Sequence, residues 1–268
     1  MKLKNLSGTQ WCALSRISVH LLITASVTVG FTFGTVLAAD VTNPGGSTVA
    51  DMTGTTEDDN YTNDGTVTND IDMRQGGTDT VVNTGDVGGE IYGASSDGNS
   101  ITNSGTGTVT GDIFGSHNES NNDSGGSNTI NNNGGVSAII GSHNEGVGSS
   151  GGNNTVNNAG TVTGSMRGSL NTGANSTGGH NRLSNNGTAN FMVGSHNSDG
   201  SVGGSNILYN YDTVNEDIRG SFNIGDNSSG GSNTIYNYGN ITSELIGSMN
   251  IGNTSSGGSN TITNSGTV

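Results

Sequence analysis

Three histidines share one recurring place: His117, His143 and His196 each stand third in a Gly-Ser-x-Asn phrase. Imidazoles at a fixed repeat spacing are metal-ligand chemistry if the fold stacks them. Other copies of the phrase put Leu170, Phe222 and Met249 there. A place that accepts Leu, Phe and Met is a half-buried packing position, so no metal is expected. Carboxylates come next. Asp97, Glu119, Asp123, Glu145, Asp199 and Asp226 lie in polar segments between apolar ones, and a column of them could hold calcium. The calcium-binding nonapeptide G-G-x-G-x-D-x-U-x is not reproduced, because GGSNTI carries Ser-Asn-Thr where that motif needs Gly and Asp. These acids read as solvated loop charge.

Catalytic groupings are weaker still. A polysaccharide-cleaving groove needs clustered Asp with Arg or Lys. The acids here are spread, and no lysine follows Lys4. Arg182 and Arg219 have no evident acidic partner at neighbouring outward positions. No G-x-S-x-G elbow or phosphate loop occurs, so neither an enzyme nor a cofactor is expected. Thr-x-Thr at Thr66–Thr68, Thr108–Thr110 and Thr161–Thr163 could suit ice, but Ser137, Asn190 and Asn215 interrupt the set. The strongest surface feature is aromatic. Tyr209 and Tyr236 share one outward place in successive repeats, and Tyr211 and Tyr238 the outward place two residues on. Stacked about 5 Å apart, they predict a square of four exposed tyrosines suited to glycan or protein contact. The bland alternative is a stack that stiffens two repeats.

The element that must position these residues is itself a repeat. Asn63, Asn83, Asn103, Asn132, Asn158, Asn185, Asn210, Asn237 and Asn264 are spaced 20, 20, 29, 26, 27, 25, 27 and 27 residues apart. An apolar residue or Tyr61 precedes each by two. Gly follows each by two, except at Asp212. The unit is therefore N-x-[IVL]-x-N-x-G, a period-two strand with Asn and the apolar residue on one inner face. A second short strand carries Val or Ile at 67, 87, 109, 136, 162, 214 and 241, with Ala189 the exception. Then comes an apolar residue such as Ile91, Ile113 or Met166. The position after it varies (Phe114, Arg167, Val193, Arg219, Ile246), which predicts that it faces out.

No unit can bury its inner face alone, so the units must stack. The expectation is an all-β, right-handed parallel β-solenoid (β-helix) of about nine rungs of 20–29 residues. At about 4.8 Å per rung the rod is about 43 Å long. Inward Asn can bond the Asn above and below. Insertions such as NESNNDSGGS and NIGDNSSGGS recur at one place and predict a comb of loops on one edge. Residues 59–268 form the solenoid, and 40–58 read as a lead-in. The last unit stops at NSGTV without a polar cap, so the chain is read as an incomplete piece of a longer protein.

Composition agrees with a solenoid. Hydrophobic residues are 28% of 268 and aromatics 4%, too little for an ordinary globular core of this length. Low hydrophobicity with net charge −15 could mean disorder, but the single proline and the regular apolar spacing oppose it. Beyond residue 39 the chain carries four arginines against 22 acids, 4 − 22 = −18, a body that repels nucleic acid and anionic lipid. Lys2 and Lys4 precede the apolar stretch 19–37, and Val36-Leu37-Ala38-Ala39 supply small residues. Residues 1–39 therefore read as an export signal cleaved after Ala38 or Ala39. Cys12 leaves with it, and no cysteine remains for disulfides or metal.

The signal followed by rungs such as NTITNSGTV and NSGTGTVTGDIFG resembles the passenger region of bacterial autotransporters and related surface β-helix adhesins. The long n-region with QWCALSR is similar to the extended signals of that family. The resemblance covers nearly the whole mature chain. It implies passage through export machinery, display at the outer membrane and a C-terminal membrane β-barrel, which this chain lacks. It also implies a structural or adhesive role toward a glycan or protein on a host or neighbouring cell. The alternative is the non-catalytic stalk of a larger secreted enzyme or toxin.

Overall fold

The computed structural model describes residues 38–95 and 98–268. The segment read as an export signal lies outside the described residues except for its last two, and so does Asp97. Among the described residues every element is a strand and every pairing is parallel. One face of the solenoid is a sheet of ten strands stacked in chain order, from Asp40–Asn43 to Asn260–Asn264. Sixteen further strands form a second sheet that bends around the rest of each coil, and Ser124–Gly125 and Ser150–Gly151 pair as a short third one. No helix among these residues is long and apolar enough to cross a membrane.

Register follows the sequence phrase. Val41, Tyr61, Val81, Ile101, Ile130, Val156, Leu183, Leu208, Ile235 and Ile262 pair in one column. Ile130, Val156 and Ile235 are each 0% exposed and belong to one continuous core with Val67, Ile113, Val162 and Ile218. The stretch expected to be a lead-in is a coil in its own right. Asp40–Asn43, Thr48–Val49 and Met52–Thr53 pair with the three strands of the next coil. Its Val41-Thr42-Asn43-Pro44-Gly45 already carries the strand phrase, and Asn43 is buried. Ten strands therefore stack on this face rather than nine.

The Asn column forms the ladder that its inward position demands. From Asn43 to Asn264 each amide Nδ2 donates to the Oδ1 of the next Asn at 2.7–2.9 Å. The same amides donate to corner carbonyls, as Asn158 does to Gly160 and Thr188. A buried polar group is tolerable only when its hydrogen bonds are made, and a column of identical amides makes them by repetition.

Two further ladders run through the interior. One takes the first Asn of the strand phrase: Asn99, Asn128, Asn154, Asn181, Asn206, Asn233 and Asn260 are linked at 2.8–3.1 Å. The other takes the last residue of Gly-Ser-x-Asn: Asn144, Asn171, Asn197, Asn223 and Asn250 are linked at 2.5–2.7 Å.

The Gly of that phrase is required by close approach. At Gly115, Gly141, Gly168, Gly194 and Gly220 an added Cβ would sit 2.3–2.7 Å from the Cβ of an inner Asn of the second ladder. The Ser that follows is fully buried, and at Ser142, Ser195 and Ser221 it accepts from that same Asn amide at 2.7–3.1 Å. Two consecutive inward residues bend the strand. The outward residues on either side of the bend therefore converge, as Phe114 and His117 do with rings 5.5 Å apart.

Candidate functional site

Two outward surfaces carry aromatic residues. The first is the tyrosine square. Tyr209 pairs with Tyr236 in register. Their rings lie 5.1 Å apart at 10°, and Tyr211 and Tyr238 lie 5.4 Å apart at 12°. Rings this close and this parallel are stacked face to face along the solenoid axis. Within a coil, neighbouring rings are parallel at 6.1 and 6.4 Å. The four are not equally exposed. Tyr211 and Tyr238 are 48% and 47% exposed, while Tyr209 and Tyr236 are half-buried. The far face of Tyr209 is covered by the Arg182 guanidinium at 4.9 Å. The square therefore offers ring edges and hydroxyls outward, with the flat faces mostly taken by its own members.

The second surface lies in the bend of the third strand, and sequence reasoning missed it. The column Tyr92, Phe114, Ile140, Arg167, Val193, Arg219, Ile246 and the column His117, His143, Leu170, His196, Phe222, Met249 run side by side. The first was expected to face solvent because its residue types vary. Phe114, Ile140 and Val193 are instead 7%, 3% and 5% exposed. The reason is the concave bend: side chains from both flanks close over one another, and each coil covers the next. Phe114, Ala138 and Ile140 form a small second core with Tyr92 and Leu170 against it. The Ile-Tyr-Gly, Ile-Phe-Gly and Ile-Ile-Gly phrases at 91, 113 and 139 were the available signal.

At the upper end of this groove the rings make a continuous stack. The Arg74 guanidinium lies 4.2 Å from the centre of the Tyr92 ring, and Tyr92 lies 5.1 Å from Phe114 at 7°. Phe114 meets His117 and His143 at 5.5 and 5.8 Å. The two imidazoles lie 4.7 Å apart at 10°. The loop acids join in. Glu145 Oε1 is 3.3 Å from His117 Nε2 and 3.4 Å from His143 Nε2, and Arg74 pairs with Asp72 and Glu119 at 2.9 Å. So Glu119 and Glu145, read as solvated charge, have partners in the stack. Arg219 also has an acid partner that the outward pattern did not reveal, Asp217 at 2.5 Å. The carboxylate stands two residues back on the same strand approach.

Burial favours neutral imidazole at His143 and His196. Burial holds His143 down at about 4, with His117 adding to the effect. Burial likewise holds His196 at about 4, and the Arg167 and Arg219 guanidiniums push the same way. His196 also lies 4.9 Å from the Phe222 ring. A folded-state value below the unfolded 6.5 means the unfolded chain binds the proton first. Stability from this group is then complete above pH 6.5 and is lost as pH falls toward 4. For His196 that loss is about 2 kcal/mol after allowance for partial solvent access. His196→Leu, which copies Leu170 of the same column, is expected to flatten the decline in unfolding midpoint between pH 7 and 4.5 by about 4–8 °C. Parallel pH curves for the two proteins would overturn this assignment.

The remaining sequence candidates stay apart. The loop comb is present: Asn122, Gly148, Asn175, Gly200, Asn227 and Thr254 hold successive left-handed corners at φ 54–74°. Asp123, Asp199 and Asp226 stand beside these corners. No protein-family model, curated protein or solved structure matches the chain.

Proposed function

We propose that this chain is an exported, surface-displayed rod of the autotransporter-passenger kind, with a spacing and adhesive role and no catalysis. The reading rests on one observation. The interior keeps its Asn column and its apolar column from coil to coil, with Tyr61 the one departure from aliphatic type, whereas polar, charged and aromatic variety falls mainly on outward columns and a comb of loops. That division suits a scaffold that holds contact chemistry away from a surface. The export reading rests on the basic and apolar segment of residues 1–39. The contact surface proposed is the tyrosine square, whose outward edges and hydroxyls suit hydrogen bonds to a protein or glycan on another cell. With a body charge of −18 beyond residue 39 (4 − 22), nucleic acid is not among the partners.

The test expresses the protein from its own gene in its own cell. The expected result is protein outside the inner membrane, degraded by protease added to intact cells. Tyr211→Ser with Tyr238→Ser is expected to lower adhesion of those cells to a host-cell monolayer several-fold, with an unchanged β spectrum. Retention in the cytoplasm would sink the export reading. Export with adhesion unaffected by the tyrosine changes would reduce the role to spacing.

A further inference from the structure

We infer that His117, His143 and Glu145 form a binding site for one divalent transition-metal ion, of the zinc, cobalt or nickel class, that ties two consecutive coils together. The three donor atoms lie within 4.8 Å of one another. A tetrahedral ion with bonds of about 2.0–2.2 Å holds its ligand atoms about 3.3 Å apart. Two of those edges are already set, Glu145 Oε1 to His117 Nε2 at 3.3 Å and to His143 Nε2 at 3.4 Å. A second observation points the same way. Both nitrogens of His117 and Nδ1 of His143 are buried and make no hydrogen bond among the described residues. Burial without a partner is costly for a polar atom, and coordination would satisfy His117 Nε2. Imidazole and carboxylate together select transition metals over calcium or magnesium.

The site also has a requirement. The rings lie within 10° of parallel, so their Nε2 lone pairs lie in separate, nearly parallel planes. A shared ion needs both rings to turn about χ2 toward each other, loosening their contact with Phe114. Coordination must outweigh that lost stacking. Thr172 Oγ1, 3.4 Å from His143 Nε2, stands beside the site. Glu119 faces the other nitrogen of His117 at 3.8 Å and is held by Arg74, so water completes the shell.

Column order fixes the stoichiometry. Leu170 separates His143 from His196, and Phe222 follows His196, so the column holds one adjacent pair and one ion. The location gives the ion a task. His117 lies on Ile113–Asn118, the first six-residue third strand, whereas the preceding coil has only Ile91–Tyr92 there. The clip therefore fastens the first two long coils to each other, just past the point where the short coils end.

The experiment is calorimetric titration of the full mature chain with zinc chloride, repeated with cobalt to read tetrahedral coordination in the visible spectrum. The expected result is one ion per chain and a rise in unfolding midpoint of about 5 °C or more at saturating zinc. His143→Leu keeps the packing seen at Leu170 and should abolish binding. Glu145→Gln, at an exposed side chain, should weaken it at least tenfold. His196→Leu should leave it unchanged. No binding by the wild type would overturn the inference, and so would equal binding by Glu145→Gln. If His143→Leu does not fold, Glu145→Gln decides alone.

Discussion

One methyl group at Gly168 is expected to cost the fold about 4 kcal/mol. The added Cβ would stand 2.3 Å from Asn181 Cβ and 2.5 Å from the Gly194 carbonyl oxygen. Neither can withdraw. Gly194 is backbone in the adjacent coil, and Asn181 is a buried rung of the second amide ladder, bonded to Asn154 and Asn206 at 2.9 and 2.8 Å. Overpacking of this kind costs about 1–3 kcal/mol, and loss of buried amide bonds adds about 1–3. At about 2–4 °C per kcal/mol for a chain of this size, the unfolding midpoint of Gly168→Ala should fall by about 10 °C. Gly135→Ala is the control. Nothing lies within 4 Å of its added Cβ, so its effect should stay within about 0.5 kcal/mol. Equal midpoints for the two variants would remove the case for close approach at Gly-Ser.

The second large effect is set by position along a ladder rather than by residue type. Asn158→Ala should cost about 3 kcal/mol. The change leaves Asn132 Nδ2 without its 2.8 Å acceptor and Asn185 Oδ1 without its 2.8 Å donor. The carbonyls of Gly160 and Thr188 each lose a bond at 3.2 Å. Gly160 O keeps the Thr188 N–H and Asn132 Nδ2 keeps the Gly134 carbonyl, so each group is left one bond short, at about 1 kcal/mol apiece. In a protein that is made to stop at Val268, Asn264→Ala removes a side chain of the same column that is exposed and bonded on one side of the ladder only, and should cost under about 1 kcal/mol. Solenoids unfold by segments rather than always as one unit. Amide exchange on either side of position 158 is therefore the sharper readout, with protection lost locally. Similar losses at 158 and 264 would mean the amides act singly and not as a ladder.

Much of the architecture was legible because a solenoid writes its contacts into its period. The strand phrase placed the Ile, Val and Asn columns correctly, since stacked parallel coils must put like residue over like residue. What escaped notice has physical causes. Asn43 shares the phrase, but Pro44 and an atypical first position disguised the coil that holds it. The Asn of Gly-Ser-x-Asn is as buried as the others, yet a bend of two consecutive inward residues breaks period-two reasoning across Gly115-Ser116. The same bend hid the groove: variability usually marks a solvated face, but a concave surface buries whatever stands on it. Of the candidate sites, the tyrosine columns were legible to the residue. The orientation of their rings was not, because it depends on side-chain packing between coils. Glu145 was read as loop charge although, like Glu119, it stands two residues after His in Gly-Ser-His-Asn-Glu, because the direction its side chain takes is set by packing between coils.

Identical junctions have an evolutionary consequence. From the coil of Asn144 onward, each coil meets the next through the same three amides and the same glycine, so recombination that gains or drops whole repeats there leaves each new joint chemically ordinary. The reach of such a molecule can then change between lineages in steps of about 4.8 Å, whereas an insertion of part of a unit inside a strand throws every amide out of line. Copy number, rather than point substitution, is the easier heritable control of length in this chain.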